Sequence, residues 1–561
     1  MNIIFFKNFL FKVFLLICLL FFFVLFNNIS VQAQIPVLRA TNIYNEQQIV
    51  YNKDSVLHTV WKPVIYAEAV SARGTGSWFQ RKFFQEHLLE VKQPNFNLNA
   101  DIIFDEYIGY SKRPIPTITP TITPKETTKT PMMNTRGYEI FGNVSDKFYF
   151  ETAFYENQGR FGGYVDSFIR KSHVVPGQGG FKNVGDGKGF DFSSSSTRLV
   201  YTPNKHWAFD LGYGKNFIGD GYRSLLLSDW SHNYPYFKTT LTLGKFQYNV
   251  MWSQYVSDRN RFYNDRQGYF RKWAQTFLID WKATNRLSVS VFESVIWPDQ
   301  DSARNKDMSA SIASPVIFIH GSESPSGVKN NVMGGINLKY RLFDHAHLYG
   351  QFALDNTGKS GAEWRNRYGA QLGIRCGNTF GVTNLNIILE GNLARPYTYT
   401  SQIKKFEFKR NTPSDTTWHT DSMSLNTNYT HNNQPLAHPL GANFREGLLL
   451  AEYTFKSWRF RFESFFAKYG ADSSATLNYG HDIFKSTTTH SVTDNVTIGQ
   501  GLSTNIFYAD FKIAYVINPV TNMRIETGFT FRNEKNSIVS FKDRIVYIGI
   551  RMSFRRIGYD F

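Results

Sequence analysis

Two cysteines in 561 residues leave no room for a disulfide scaffold. Past residue 26 there is no run of about 18 apolar residues, which excludes a polytopic helical membrane protein. Acids are in deficit: 45 Asp+Glu face 62 Lys+Arg, for a net charge of +17. Charged residues are only 19% of the chain, whereas aromatics reach 17%. So aromatic a composition excludes disorder for the bulk of the sequence. Length alone, at roughly 150 residues per domain, suggests three or four globular domains. The local patterning does not.

Residues 1–33 read as an export signal. Lys7 and Lys12 lie in a first stretch without acids, Val13 to Phe26 is uninterrupted apolar, and Val31-Gln32-Ala33 supplies a small-residue cleavage site. Fourteen apolar residues at about 1.5 Å rise fall short of a bilayer core of about 30 Å. Cleavage after Ala33 also removes Cys18, leaving Cys376 alone. A large exported chain without a disulfide needs another source of cohesion, and backbone pairing in a sheet supplies one.

From about residue 135 onward one local grammar repeats. Roughly ten residues alternate apolar with polar, a few turn residues follow, and another alternating run returns. Trp458, Phe460 and Phe462 face one way while Arg459, Arg461 and Glu463 face the other. Eighteen such runs are predicted, near 99–110, 135–143, 147–155, 196–202, 206–214, 236–243, 246–255, 272–282 and 286–297. The remainder lie near 331–341, 346–354, 367–376, 383–392, 445–455, 458–466, 505–517, 522–532 and 543–554. Gaps of six residues or fewer alternate with gaps of ten or more. That pattern predicts an all-β fold: a transmembrane antiparallel barrel of about eighteen strands over residues 99–561, with short periplasmic turns and long external loops. The location expected is the outer membrane. The last run, ending toward Phe561, resembles a terminal strand closed by an aromatic, as read by outer-membrane assembly machinery. Residues 34–98 are expected to form a small periplasmic segment with a short amphipathic helix over 77–91. The Thr/Pro-rich stretch 114–131 is expected to be an extended loop.

With the apolar phase assigned to lipid, the inward phase carries nearly as many acids as bases, Arg198, Lys339 and Arg461 against Asp210, Glu390 and Glu463 among them. Such a lumen is expected to be cross-braced or filled, not tuned for anions. The remaining basic excess then falls to loops, where lipopolysaccharide phosphates and outer-membrane lipid are the expected partners and nucleic acid is not. Catalytic constellations are weak. His345 and His347 lack a third ligand for zinc, and Ser193 to Ser196 has no nucleophile elbow. No enzyme activity, metal or cofactor is expected.

The segment 214–236 is unlike its surroundings. Gly219-Asp220-Gly221 forms a turn, then come Arg223, Ser224, Leu225, Leu226, Leu227, Ser228 and Asp229. Three adjacent leucines on an external loop forfeit about 1.5–3 kcal/mol each unless buried. The loop is therefore expected to fold into the lumen, with Arg223 paired to Asp210 on the preceding strand or to Asp229. GDGYRSLLLSD followed by NYPY, after a strand carrying Gly212 and Gly214, resembles the RemB-type gliding-motility outer-membrane proteins of the Bacteroidetes. It is similar, more distantly, to the Wzi-type capsule-assembly barrels, whose Trp-Gly-Pro turn is replaced here by Phe217 to Gly221. The resemblance implies an occluded, non-enzymatic surface barrel with surface polysaccharide or motility-machinery proteins as partners. A general diffusion porin and an outer-membrane hydrolase are the alternatives.

Overall fold

The computed structural model describes residues 57–64, 74–114, 126–262, 269–298, 314–319, 330–357, 362–412, 415–555 and 558–561. The expected export signal lies outside them. Eighteen antiparallel strands close into one barrel. In chain order they are β1 (Phe96–Pro114), β2 (Met132–Val144), β3 (Phe148–Arg160), β4 (Gly189–Tyr201), β5 (Trp207–Gly214) and β6 (Tyr234–Leu243). Next come β7 (Phe246–Phe262), β8 (Tyr269–Lys282), β9 (Leu287–Pro298), β10 (Asn331–Phe343), β11 (Ala346–Asn356) and β12 (Arg367–Cys376). The circuit finishes with β13 (Leu385–Ala394), β14 (Phe444–Phe455), β15 (Trp458–Ala471), β16 (Leu502–Asn518), β17 (Met523–Lys535) and β18 (Ser540–Arg551). Every expected strand is present. Closure runs through β18 and β1, from Arg544 opposite Lys112 to Ile550 opposite Glu106.

Alternation decides which face is which. Ile102, Leu211, Leu372, Phe466, Phe529 and Ile548 are exposed on the outer wall, whereas Asp105, Asp210, Gln371, Glu463, Asp510 and Asn337 are buried facing inward. An apolar outside suits lipid, and a closed ladder leaves no unpaired backbone there. Unboiled protein should therefore migrate apart from boiled protein on a detergent gel, with a circular dichroism spectrum dominated by sheet. Phe529→Arg should reduce the unboiled, folded band sharply, because a mid-bilayer arginine on the lipid face costs about 2–4 kcal/mol. A helical spectrum, or normal assembly of this variant, would contradict the architecture.

Three inward glycines seat a tyrosine from the neighbouring strand. A Cβ at Gly212 would lie 2.6 Å from the Tyr236 hydroxyl, one at Gly373 2.4 Å from the Tyr349 ring, and one at Gly528 2.5 Å from the Tyr547 ring. In each case glycine and tyrosine are directly opposite in the ladder.

Several expectations change. The helix α1 covers Trp78–Phe84, shorter than 77–91, and opens on a capping box of Ser77 and Gln80. Described parts of 34–98 pair with the barrel and with its lumen loop. Leu89–Gln93 pairs with the start of β1, and Trp61–Lys62 pairs with Phe217–Ile218 in the lumen. Val60, Trp61 and Val64 are apolar and find burial there. Within 114–131, Glu126–Lys129 pairs with the upper end of β1 rather than forming loop throughout. The external gaps expected after residues 255 and 532 shrink because β7 and β17 continue to Phe262 and Lys535, pairing with their neighbours beyond the apolar belt. An unforeseen external hairpin pairs Lys404–Thr412 with Asp415–Leu425.

The chain end is the largest correction. Phe561 does not close a strand: β18 stops at Arg551. Asp105 of β1 accepts the backbone N–H groups of Met552 at 2.8 Å and Ser553 at 3.2 Å, and the Ser553 hydroxyl at 2.6 Å. This carboxylate turns the chain inward. The tail then rises through the lumen until Phe561 packs on Tyr164, Phe168 and Trp230. Tyr164 and Phe168 belong to a second helix, α2 (Gly163–Ser172), in the β3–β4 connection.

Candidate functional site

The loop between β5 and β6 crosses the lumen. Leu225, Leu226 and Leu227 are each 0% exposed and Arg223 only 4%, so the expectation of a buried seat holds. Its floor is a row of inward polar side chains on β11, β12 and β13. Glu390 of β13 accepts the backbone N–H of Tyr222 at 2.7 Å and of Arg223 at 3.1 Å. Gln351 of β11 accepts from Leu225 N–H at 2.9 Å and donates to the Ile218 carbonyl at 3.0 Å. Gln371 of β12 donates to the Arg223 carbonyl at 3.0 Å. Backbone lacking a partner within its own strand is thus satisfied by the wall, as burial requires.

Within the loop, the Ser224 hydroxyl donates to the Ile218 carbonyl at 2.5 Å and accepts from the N–H groups of Leu226 and Leu227 at 3.1 and 3.2 Å. Gly219 has φ +147°, and a Cβ there would meet Gln351 Nε2 at 2.4 Å; at Gly221 it would meet Glu390 Oε2 at 2.4 Å. Both glycines are needed for this close approach to the wall. Asp220 accepts from Asn337 at 2.8 Å and lies 3.5 Å from Lys339 Nζ. Leu225 and Leu226 reach toward Gly369 and Gly335, whose missing side chains leave room for them.

Arg223 does not pair with Asp210 or Asp229. Its Nη1 donates to Asp560 Oδ2 at 2.7 Å, its Nη2 to the Asp560 carbonyl at 2.6 Å, and Glu446 Oε1 lies 3.4 Å away. Asp210 is already engaged on its own wall, with Arg198 Nη2 at 2.6 Å and Lys238 Nζ at 3.2 Å. The Asp229 carbonyl accepts from Lys215 at 3.0 Å. Glu446 also takes His438 Nε2 at 2.8 Å. Burial holds the His438 imidazole below the usual histidine range despite the facing carboxylate. The Tyr222 hydroxyl lies 2.8 Å from Asp560 and 3.0 Å from Glu463.

Lids close over this centre from both ends. The β13–β14 connection covers the leucines: Ser228 N–H donates to the Leu436 carbonyl at 2.8 Å, and the Tyr399 hydroxyl to the Leu225 carbonyl at 2.9 Å. From the other end, Lys62 Nζ donates to the Gly219 carbonyl at 2.7 Å, and His58 Nδ1 lies 2.6 Å from Asp280. Sequence reasoning missed Gln351, Gln371, Glu446, His438 and Asp560 as members of this centre. Inward phase was a usable signal for the first three. Of the two histidines noted in the sequence, His345 is exposed on a turn and His347 is buried. Among the described residues no group of three His, Cys, Asp or Glu is placed to hold a metal ion.

No protein-family model matches this chain, and no curated protein matches it in sequence. Solved structures do. Wzi of Escherichia coli, described as a carbohydrate-binding outer-membrane barrel involved in group 1 capsule assembly, is 13% identical. That match covers 93% of this chain and all of Wzi, with a TM-score of 0.49. OccAB2 of Acinetobacter baumannii is 9% identical over 82% of this chain and 98% of its own, with a TM-score of 0.41. OprD of Pseudomonas aeruginosa is 8% identical over 84% and 97%, with a TM-score of 0.39.

Proposed function

We propose that the protein is a closed, non-enzymatic barrel of the outer membrane that supports the surface-polysaccharide layer or gliding motility and passes no solute of its own. The observation that carries the reading is the seated loop. The residues on which the family resemblance rests, Gly219 to Asp229, are those that fill the lumen, and segments from both sides of the barrel are tied to them by hydrogen bonds. A diffusion porin needs a continuous water path. Here, the middle of the lumen holds leucines and a buried charge network. Basic external loops suit the phosphates of lipopolysaccharide or an acidic glycan, and the protein partners on this reading are those of the surface layer or motility machinery. A clean deletion strain should lose colony spreading or capsule staining while its permeability to small solutes stays unchanged. A strain with normal spreading and capsule, but altered solute uptake, would overturn the proposal in favour of the porin.

A further inference from the structure

One part of the outer wall departs from the apolar phase. On β8, Gln275 and Phe277 share the outward phase of Ile279 and Trp281. On β9, Glu293 stands directly opposite Phe277. Trp281 is exposed, yet Gln275 is 0% exposed and Glu293 2%. Val250, Phe277 and Val295, in the same outward phase, are buried as well. Residues 314–319, from the β9–β10 connection, lie against this stretch of wall. Gln275 Nε2 donates to the Ser314 carbonyl at 2.8 Å, and Glu293 Oε2 accepts the Phe318 N–H at 2.7 Å. The Tyr248 hydroxyl donates to the Pro315 carbonyl.

Irregular backbone in hydrocarbon has no water to bond, so its polar groups need protein partners. The outward polar side chains supply them, and Pro315 has no N–H to satisfy. Val316, Phe318 and Ile319 are exposed and renew the apolar surface one layer out. The segment is a strap laid on the barrel within the bilayer.

Strap and wall do not meet everywhere. Between them is a slot of about 420 Å³, formed by Leu241, Leu243, Phe246 and Ile279 on the barrel and by Val316 and Ile317 on the strap. The polar side chains along it, Gln247 and Tyr248, are bonded to Thr242 and Pro315. Leu241 lies opposite Tyr248, Tyr248 opposite Ile279, and Leu243 opposite Phe246, so the barrel side of the slot is the lipid-facing side. An apolar recess does not hold water, and the medium around this one is hydrocarbon. Leu243 and Phe246 flank the short β6–β7 turn, whose Lys245 is exposed. That end of the barrel is the periplasmic one. The slot therefore starts at the headgroup level of the inner leaflet, with a cation beside its mouth.

We propose that this slot is a binding site for one acyl chain of a periplasmic-leaflet phospholipid, with the lipid phosphate at Lys245. A flat wall touches a passing lipid on one side. The slot has barrel on one side and strap on the other, so a chain held there exchanges more slowly than its neighbours. It lies outside the lumen, and its occupancy does not depend on whether the barrel conducts.

The test uses the full chain in dodecyl maltoside, titrated with dioleoyl phosphatidylglycerol and weighed by native mass spectrometry. Wild type should take up a first lipid saturably and more tightly than those that follow. Leu241→Trp fills the slot from the barrel side and Val316→Trp from the strap side. Each should weaken the first lipid roughly tenfold or more, while Leu372→Trp, on the exposed wall of β12, should leave it unchanged. Lys245→Gln should weaken it about threefold, through the lost phosphate contact. Val316 is not part of a barrel strand, so its variant decides the matter if Leu241→Trp fails to assemble. Heat-modifiable mobility reports assembly for each. Uptake with no distinct first lipid, a first lipid unaffected in the assembled slot variants, or a dimer that excludes lipid and falls apart in those variants would each overturn the proposal.

Discussion

Deleting residues 219–229 should convert a silent barrel into a conducting one. In planar bilayers the wild-type protein is expected to show almost no conductance, because Leu225 to Leu227 and the groups tied to them fill the lumen. Removing the segment takes away three leucine seats worth about 1.5–3 kcal/mol each. It also removes one tie of each of the two other occupants. Lys62 loses the Gly219 carbonyl and Asp560 loses Arg223, so the N-terminal segment and the tail are held less firmly as well. Stable, large conductance steps in the deletion variant are the expected record. If the intact protein already conducts like an open porin, neither the plug nor the function proposed from it survives.

The second large effect is expected at Arg223. Arg223→Met leaves Asp560 and Glu446 buried without their cation, and breaking a buried pair on one side costs about 3–5 kcal/mol. The temperature at which the unboiled band converts to the unfolded one should fall markedly. Arg223→Lys should recover part of the loss, since it restores charge but cannot reach the Asp560 side chain and carbonyl together. Adding Asp560→Asn to Arg223→Met should also recover part, by removing one stranded charge. Arg461 faces the lumen beside the same network: its Nη2 lies 3.0 Å from Glu463 and 3.2 Å from the Tyr222 hydroxyl. Arg461→Ala should assemble yet melt lower. An unchanged transition in Arg223→Met would show that the network contributes little to holding the plug.

The barrel was legible because its signal is local. Period-two alternation in a run such as Trp458 to Phe466 states both the strand and its two faces, and the apolar face must meet lipid. The plug was legible for a similar reason, since three leucines on an external loop have to be buried somewhere. The partners of Arg223 were not. Asp560 and Glu446 lie 337 and 223 residues away in the chain, and no periodicity reports which inward group a crossing loop will meet. The tail misled because Met552 and Phe554 continue the alternation of Ile548 and Ile550 past the point where Asp105 turns the backbone inward. Val60 and Trp61 gave no periodic signal, being too short a stretch to show one.

The three glycine–tyrosine seats bear on how strands find their alignment. In a hairpin with a tight turn, the turn itself sets the register. The β5–β6 and β11–β12 pairs lack that help, because residues 215–233 and 357–366 separate their strands. There Tyr236 fits over Gly212, and Tyr349 over Gly373. Sliding by two residues would keep the apolar face outward yet, in one direction on β5, drive the Tyr236 ring into Asp210, and in either direction on β12 drive the Tyr349 ring into Gln371 or Arg375. The missing side chains thus act as alignment keys, placed at junctions where connectivity leaves the match open. A plug loop free to be long and irregular is the freedom they permit.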